Sequence, residues 1–216
     1  MEMAPTGTFS IVARDGETRD LGVAVQSKYF AVGSVVPWAA AGVGAVATQA
    51  AVNPELGPEA LRLLGTRVPP QEALEQILAA DERPELRQVG IIDHQSRTAN
   101  HTGGECTQWA GGVCGEDFSA QGNILAGPQV VEAMAASFQA AAGQVLGERL
   151  MQALEAGQAA GGDTRGQQSA ALLVVRQGGG TAGLTDRVVD LRVDDHQDPI
   201  AELRRIFDML KAMREW

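Results

Sequence analysis

Short apolar runs separated by polar or glycine-rich turns recur along the chain. TFSIVAR and LGVAVQS flank the polar turn DGETRD, a pattern that predicts a β-hairpin. Further runs of the same kind predict more strands: AVGSVVPW, GVGAVATQA, RQVGIIDH, RTANHTG, FSAQGNILAG, QSAALLVVR and RVVDLRV. RQVGIIDH and RTANHTG are separated only by a short polar turn, so we expect them to form a second hairpin.

Helical periodicity marks segments between these strands. PQEALEQILAAD places four apolar residues on one face of a helix: Ala73, Leu74, Ile77 and Leu78. The same spacing predicts helices in further segments: PELGPEALRLLG, the stretch from Val130 to Phe138, the stretch from Leu146 to Leu154, and the stretch from Leu203 to Leu210. The last helix should begin at Asp198-Pro199, because aspartate favours the N-cap and proline the first helical position.

Several predicted strands are apolar on both faces, as in SIVA, GVAV and AALLVV. Their short turns make neighbouring strands antiparallel, and antiparallel sheets usually leave one face in water. To bury both faces, a sheet needs a second sheet on one side and helices on the other. The pattern therefore predicts an α+β fold: a four-layer α-β-β-α sandwich with two mostly antiparallel sheets between helical layers.

Composition limits the possible functions. The chain has 216 residues and a formal net charge of −10, which favours one domain and argues against nucleic acid or an anionic membrane as a partner. We find no apolar run of the roughly 18 residues that a membrane span requires. The opening MEMAPTG has no secretory pattern, and Cys106 and Cys114 do not form a secreted disulfide framework, so we expect a cytoplasmic protein. Exposed sheet edges leave room for a homo-oligomer.

The stretch GTFSIVARDG contains the most informative candidate residue, Thr8. Thr8 is either an ordinary β-branched strand residue or a nucleophile that becomes the first residue after residues 1–7 are removed. In the second case its own α-amine, with a pKa near 8, can serve as the adjacent base that a threonine hydroxyl needs. Ser10 lies on the same strand face and is the competing hydroxyl.

The chain resembles a known family along nearly its whole length. The matching passages are TFSIVARDGETRDLGVAVQSKYFAVGSVVPWA, GVGAVATQAAVNPELGP, QVGIID, HTGGEC, QGNILAGPQVVEAM and GGDTRGQQSAALLVV. They resemble the prokaryotic domain of unknown function 1028 family, which is placed within the N-terminal nucleophile (Ntn) hydrolases. This resemblance implies an Ntn-hydrolase-like domain over residues 8–216, preceded by an extension or propeptide over residues 1–7. It also implies that Thr8 is the nucleophile, because some Ntn hydrolases expose theirs by cutting a preceding Gly–Thr bond.

The resemblance also indicates residues around the nucleophile. VAVQSK is similar to a segment of proteasome-like members that ends in Asp-Ser-Arg, which implies that Gln26, Ser27 and Lys28 lie near Thr8. Gln26 stands where those members have a carboxylate. We assign Ser27 and Lys28 as catalytic candidates and Gln26 as a substrate-binding candidate.

Two later segments carry further candidates. In AQGNILAG, a strand running into Gly122-Asn123 and then a helix can direct backbone N–H groups and an amide at an oxyanion. The alternative is a turn that uses these residues for their backbone freedom. GGDTRGQQS is similar in position to a superfamily loop beside the nucleophile, so Asp163, Arg165 and Ser169 are candidates to orient the amine or bind a substrate carboxylate. A structural Asp–Arg pair is the alternative.

His101 is a further candidate for contact with substrate. With Asp93, His94 and the two cysteines it could form a metal site, but the spacing lacks the Cys-x-x-Cys and His-Glu-x-x-His patterns. We therefore expect no metal and no other cofactor.

Two classes of function remain. The first is an amidohydrolase or peptidase that cleaves a small amide or peptide with Thr8 as nucleophile. The second is a non-catalytic binding or assembly protein on the same scaffold. Exposure of Thr8 requires self-cleavage at Gly7–Thr8, a separate protease, or a start codon nearer Thr8, because Glu2 and Pro5 prevent simple methionine removal.

Overall fold

The protein has an α+β fold, seen in a computed structural model that describes residues 7–213. Residues 1–6 of the predicted extension and residues 214–216 lie outside this range. In chain order the strands are β1 (Thr8–Arg14), β2 (Leu21–Ser27), β3 (Pro37–Ala40), β4 (Gly44–Ala50), β5 (Arg87–Asp93), β6 (Thr98–Thr102), β7 (Trp109–Gly115), β8 (Phe118–Leu125), β9 (Ser169–Val175) and β10 (Arg187–Val193). The α-helices within this range are α1 (Leu56–Gly65), α2 (Pro70–Ala79), α3 (Gln129–Ala140), α4 (Leu146–Ala159) and α5 (Pro199–Met213).

These strands form two antiparallel sheets. One has six strands in the order β10-β9-β2-β1-β8-β7, and the other has four in the order β3-β4-β5-β6. The hairpins predicted from DGETRD and from the turn after RQVGIIDH are both present, as β1–β2 and β5–β6. Strand β1 lies inside the larger sheet, between β2 and β8.

The apolar character of β1 on both faces has a direct structural cause. Phe9 and Ile11 pack into a buried cluster with side chains of α3, α4 and α5. Val12, which points the other way, packs with residues of the second sheet such as Ala45 and Ala47. A third cluster joins the far face of the second sheet to α1 and α2. Both faces of each sheet are thus covered, at least in part, by apolar side chains.

One predicted strand is wrong in part. The segment AVGSVVPW begins with a short 3-10 turn, Val32–Ser34, and strand β3 starts only at Pro37. The backbone N–H of Val32 donates to Ser169 Oγ at 3.0 Å, and Ala31 has a positive φ of 54°, so the chain turns here instead of extending. Proline is tolerated at Pro37 because the first residue of an edge strand can lack an N–H donor.

The predicted start of the last helix is confirmed. Helix α5 begins at Pro199, and Asp198 Oδ1 accepts the backbone N–H of Ala201 at 3.3 Å, which is an N-cap contact. None of the helices within residues 7–213 is long and apolar enough to cross a membrane.

Candidate active site at Thr8

The pairing of β1 with its two neighbours sets the position of Thr8. Thr8 is paired with Ser27 on β2 and with Asn123 on β8. Residues directly opposite each other in an antiparallel pair point to the same face, so all three side chains face the second sheet. Thr8 is only 1 % exposed and Ser27 is 0 % exposed. The fold therefore gathers a hydroxyl pair and an amide at one buried point.

A directed chain of hydrogen bonds joins Thr8 to the carbonyl group that precedes it. Ser27 Oγ donates to the Gly7 carbonyl oxygen at 2.6 Å. The Thr8 and Ser27 hydroxyl oxygens are 3.0 Å apart. Since Ser27 has one hydroxyl proton and gives it to Gly7, the proton between the two hydroxyls comes from Thr8. The Thr8 hydroxyl is thus connected through Ser27 to the oxygen of the Gly7–Thr8 peptide bond.

The loop that contains Asp163 and Arg165 supplies a second donor to the same oxygen. Arg165 Nη2 donates to the Gly7 carbonyl oxygen at 2.9 Å. Asp163 holds Arg165 through the guanidinium, at 2.7 Å from Nη2, and through the backbone N–H at 2.9 Å. The backbone N–H of Lys28 also donates to Asp163 Oδ2 at 3.2 Å. A charged donor therefore faces the Gly7 carbonyl in a fixed orientation.

Local backbone features keep this loop in place. Gly162 and Gly166 have φ values of +53° and +104°, which glycine adopts at no steric cost. Asp163 forms an isolated β-bridge with Leu125 at the end of β8. Gly7 packs so closely on Asp163 that an added Cβ would lie 2.7 Å from both carboxylate oxygens. The residue before Thr8 has no room for a side chain.

Asn123 is held from the second sheet. Its Nδ2 donates to Gln88 Oε1 at 2.9 Å, and Gln49 Nε2 donates to the same oxygen at 2.8 Å. Gln49 Nε2 also lies 3.4 Å from the Thr8 carbonyl oxygen. The sequence interpretation missed Gln49 and Gln88. The available signal was that each is an amide in a predicted strand made mostly of apolar residues and glycine.

Gly122 and Asn123 are not in the strand-to-helix turn that was predicted. Both lie within β8, where Gly122 is paired with Phe9. The Gly122 carbonyl oxygen accepts Gln88 Nε2 at 2.8 Å. The strand continues through Gly122 and Asn123 because both residues pair with β1. The predicted turn is therefore absent at this point, and Asn123 contributes its side-chain amide to the site.

Ser10 is fully engaged in hydrogen bonds. Its Oγ donates to Gln49 Oε1 at 2.5 Å and accepts Gln121 Nε2 at 2.7 Å. Ser10 is 0 % exposed. The competing hydroxyl thus belongs to the buried amide network between the two sheets.

The structure does not bring every predicted site residue to Thr8. Gln26 pairs with Phe9 and points toward the helices, on the face opposite the Thr8 hydroxyl. Ser169 Oγ donates to the Tyr29 carbonyl oxygen at 2.5 Å and so holds the turn after β2. His101 lies on β6, where its Nε2 is 3.1 Å from the Pro84 carbonyl oxygen.

The Lys28 side chain faces away from the buried pair and toward the surface. Its ammonium group donates to the Gln167 carbonyl oxygen at 3.1 Å. It lines an open cleft of about 580 Å³ between the Gln167–Gln168 segment and residues 195–198. Within residues 7–213, no cluster of three or more His, Cys, Asp or Glu side chains is placed to hold a metal ion.

The chain belongs to the family of unknown function DUF1028. The family model matches residues 8–203, so its match begins at Thr8. The fold is similar to the crystal structure of protein SPO2555 from Silicibacter pomeroyi, which is assigned to the same family. That similarity has a TM-score of 0.85 and 30 % sequence identity, and it covers 95 % of this chain and 89 % of the other. A search of curated proteins finds no significant match.

Proposed function

We propose that the protein is an Ntn-type amidohydrolase that uses Thr8 as an N-terminal nucleophile on a small amide or peptide. The observation that carries the proposal is the hydrogen-bond chain from the Thr8 hydroxyl through Ser27 to the Gly7 carbonyl oxygen. This chain gives the Thr8 proton a direct route to the oxygen of the peptide bond that must be cut. The start of the family match at Thr8 also supports the proposal.

The same geometry supports self-cleavage at Gly7–Thr8 as the step that exposes the nucleophile. Thr8 Oγ attacks the Gly7 carbonyl carbon, its proton passes to Ser27, and the Ser27 proton passes to the carbonyl oxygen, which becomes the hydroxyl of a tetrahedral intermediate. Arg165 donates to this oxygen and stabilises the partial negative charge that it carries before the proton arrives. When the intermediate collapses, the C–N bond breaks, the hydroxyl proton on the former carbonyl oxygen passes to the leaving nitrogen, and an ester joins Gly7 to Thr8 Oγ. Water then hydrolyses the ester and releases residues 1–7 with a carboxylate end.

After this cut the α-amine of Thr8 acts as the general base. It removes the Thr8 hydroxyl proton, and the oxygen attacks the substrate amide carbon. The α-ammonium group then gives this proton to the substrate nitrogen, which leaves as an amine, and an acyl ester remains on Thr8 Oγ. Water hydrolyses the ester and restores the enzyme. Ser27 and the Asn123 amide lie on the Thr8 face of the sheet and are the proposed donors to the oxyanion of this reaction.

The packing supports the finer assignment of the fold. One buried cluster joins α3, α4 and α5 to the six-stranded sheet, a second lies between the sheets, and a third joins the four-stranded sheet to α1 and α2. We assign this order of layers to the α-β-β-α sandwich of the Ntn hydrolases. The net charge of −10 supports a small-molecule or peptide substrate over nucleic acid.

A non-catalytic binding protein is the second candidate. The observation in its favour is that Thr8 is 1 % exposed while Gly7 is attached, so the uncut chain offers no access to its hydroxyl. Under this alternative the chain keeps residues 1–7 and Ser27 and Arg165 simply anchor the N-terminal segment.

Intact-mass analysis of the purified chain separates the candidates. The proposal predicts loss of residues 1–7 and a product that periodate oxidises, because an N-terminal threonine carries adjacent amine and hydroxyl groups. Thr8→Ala should retain residues 1–7 when made in the same host, which separates self-cleavage from cutting by another protease. Thr8→Ser keeps a hydroxyl and should still be cut. A native, active protein that begins at Met1 would refute the nucleophile assignment.

A further inference from the structure

Gln26 has an unusual hydrogen-bonding state for a buried amide. It is 0 % exposed, and within residues 7–213 its Oε1 has no hydrogen-bond partner. Its Nε2 reaches only the Gly166 carbonyl oxygen, at 3.5 Å. Gln49, Gln88 and Gln121 are equally deep in the fold, and their amides are engaged on both sides. A buried acceptor without a donor is unfavourable, so its presence calls for a donor that residues 7–213 do not provide before the cut.

Gln26 lies close to the start of β1. Gln26 is paired with Phe9, next to the pair of Thr8 and Ser27, and adjacent strands lie about 4.8 Å apart. Its side chain lies on the helix side of the sheet, the same side on which Gly7 packs against Asp163. The contact with Gly166 shows that the amide extends toward the loop beneath Gly7. The amide therefore lies beside the place where the chain enters β1.

We propose that Gln26 is a positioning residue for the α-amine that forms when the Gly7–Thr8 bond is cut, with Gln26 Oε1 accepting one of its N–H groups. This inference rests on the proposed function. Before the cut, the Thr8 nitrogen is an amide with a single N–H, and after the cut it carries additional N–H donors. Gln26 lies on the helix side of the sheet and the Thr8 hydroxyl on the other side. A hydrogen bond to Gln26 therefore turns the nitrogen lone pair toward the hydroxyl that it must deprotonate.

Protein stability tests this inference without any catalytic assay. The test compares two proteins that both carry Thr8→Ala, so that neither can cut itself. The first is the full chain. The second begins with Met directly before residue 8, and removal of this Met by the host aminopeptidase leaves a free α-amine at residue 8. All described strands and helices lie within residues 8–213, so the shorter chain contains every one of them. Gln26→Met is then introduced into both.

We expect Gln26→Met to lower the melting temperature of the shorter chain by about 2–4 °C, the size expected for one lost buried hydrogen bond in a chain of this length. In the full chain the same substitution removes an acceptor that has no partner among residues 7–213, so the melting temperature should stay unchanged or rise. Gln121→Met is the matched control, because Gln121 is equally buried and its partners are Ser10 and Asn100. It should lower both melting temperatures equally.

Equal effects of Gln26→Met in the two chains would overturn the inference. If Gln26→Met does not fold, Gln26→Glu gives the same comparison, because an uncompensated carboxylate should destabilise the full chain more than the chain with a free amine. A second measurement is the pH dependence of acetylation of the α-amine at residue 8. Loss of the acceptor should lower the pKa of this amine, a change that a purely structural role of Gln26 would not produce. If wild-type protein is never cut, the proposed function fails, whereas the stability comparison still decides whether Gln26 Oε1 accepts an N–H from a free α-amine at residue 8.

Discussion

The hydroxyl of Ser27 should control the rate at which the Gly7–Thr8 bond is cut. Two donors reach the Gly7 carbonyl oxygen, Ser27 Oγ at 2.6 Å and Arg165 Nη2 at 2.9 Å. Ser27→Ala removes one of them and also the route by which the Thr8 proton reaches that oxygen. Loss of one such donor slows a reaction by about 10²- to 10³-fold, or about 3–4 kcal/mol in the barrier. We therefore expect uncut Ser27→Ala protein to accumulate.

Cell-free synthesis followed by intact-mass sampling over time measures this rate before cleavage is complete. Ser169→Ala is the matched control, because Ser169 is also 0 % exposed and is paired with Ser27 across the sheet. Its hydroxyl donates to the Tyr29 carbonyl oxygen, so its loss should cost stability without slowing the cut. If Ser27→Ala is cut as fast as the wild-type protein, the proton route through Ser27 is wrong.

Three further changes test other parts of the site and fold. Gly7→Ala should slow the cut at least 10-fold and destabilise the chain by about 1–3 kcal/mol, because the added Cβ would lie 2.7 Å from the Asp163 carboxylate oxygens. The mass assay measures the cut and a urea titration measures the stability. Gly104→Ala is the control: its Cβ would meet nothing within 4 Å, so it should change neither result. Ser10→Ala should destabilise the protein by about 1–3 kcal/mol, but the Gly7–Thr8 bond should still be cut. If this variant is not cut, Ser10 takes part in the reaction. Burial raises the pKa of Asp81, but hydrogen bonds from neighbouring amide, backbone and guanidinium groups outweigh it, and the pKa lies below its usual value. A lowered carboxyl pKa adds stability above the unfolded-state pKa of about 3.9 that is lost as the pH falls, so urea titrations from pH 6 to pH 2 should show a steeper loss for the wild type than for Asp81→Asn.

Local pattern was sufficient for most of the fold. The DGETRD turn between two apolar runs predicts the β1–β2 hairpin, because a short turn allows only antiparallel pairing of its flanking strands. The apolar character of both strand faces predicts cover on both sides, which the buried clusters provide. Asp198-Pro199 predicts the start of α5 because an N-cap and a proline at the first position act within a single helical turn.

The resemblance to proteasome-like members, rather than local pattern, predicted that Ser27 lies near Thr8. In the structure the two residues are paired across β1 and β2, and their hydroxyl oxygens are 3.0 Å apart. The resemblance also indicated the loop that contains Asp163 and Arg165, and in the structure Arg165 donates to the Gly7 carbonyl oxygen. Gln26 was grouped with Ser27, although the period of two along a strand already places them on opposite faces.

Tertiary structure decided the rest. Gln49 and Gln88 approach Thr8 and Asn123 from the second sheet, and nothing near them in the sequence specifies which sheet face they meet. Asn123 lies in a strand because β1 provides its ladder partner from a distant part of the chain. Stacking of two sheets and strand pairing across long loops depend on the free energy of the whole core. The sequence alone therefore determined most of the strands and helices and the β1–β2 hairpin, while the packed fold determined which buried amides complete the site.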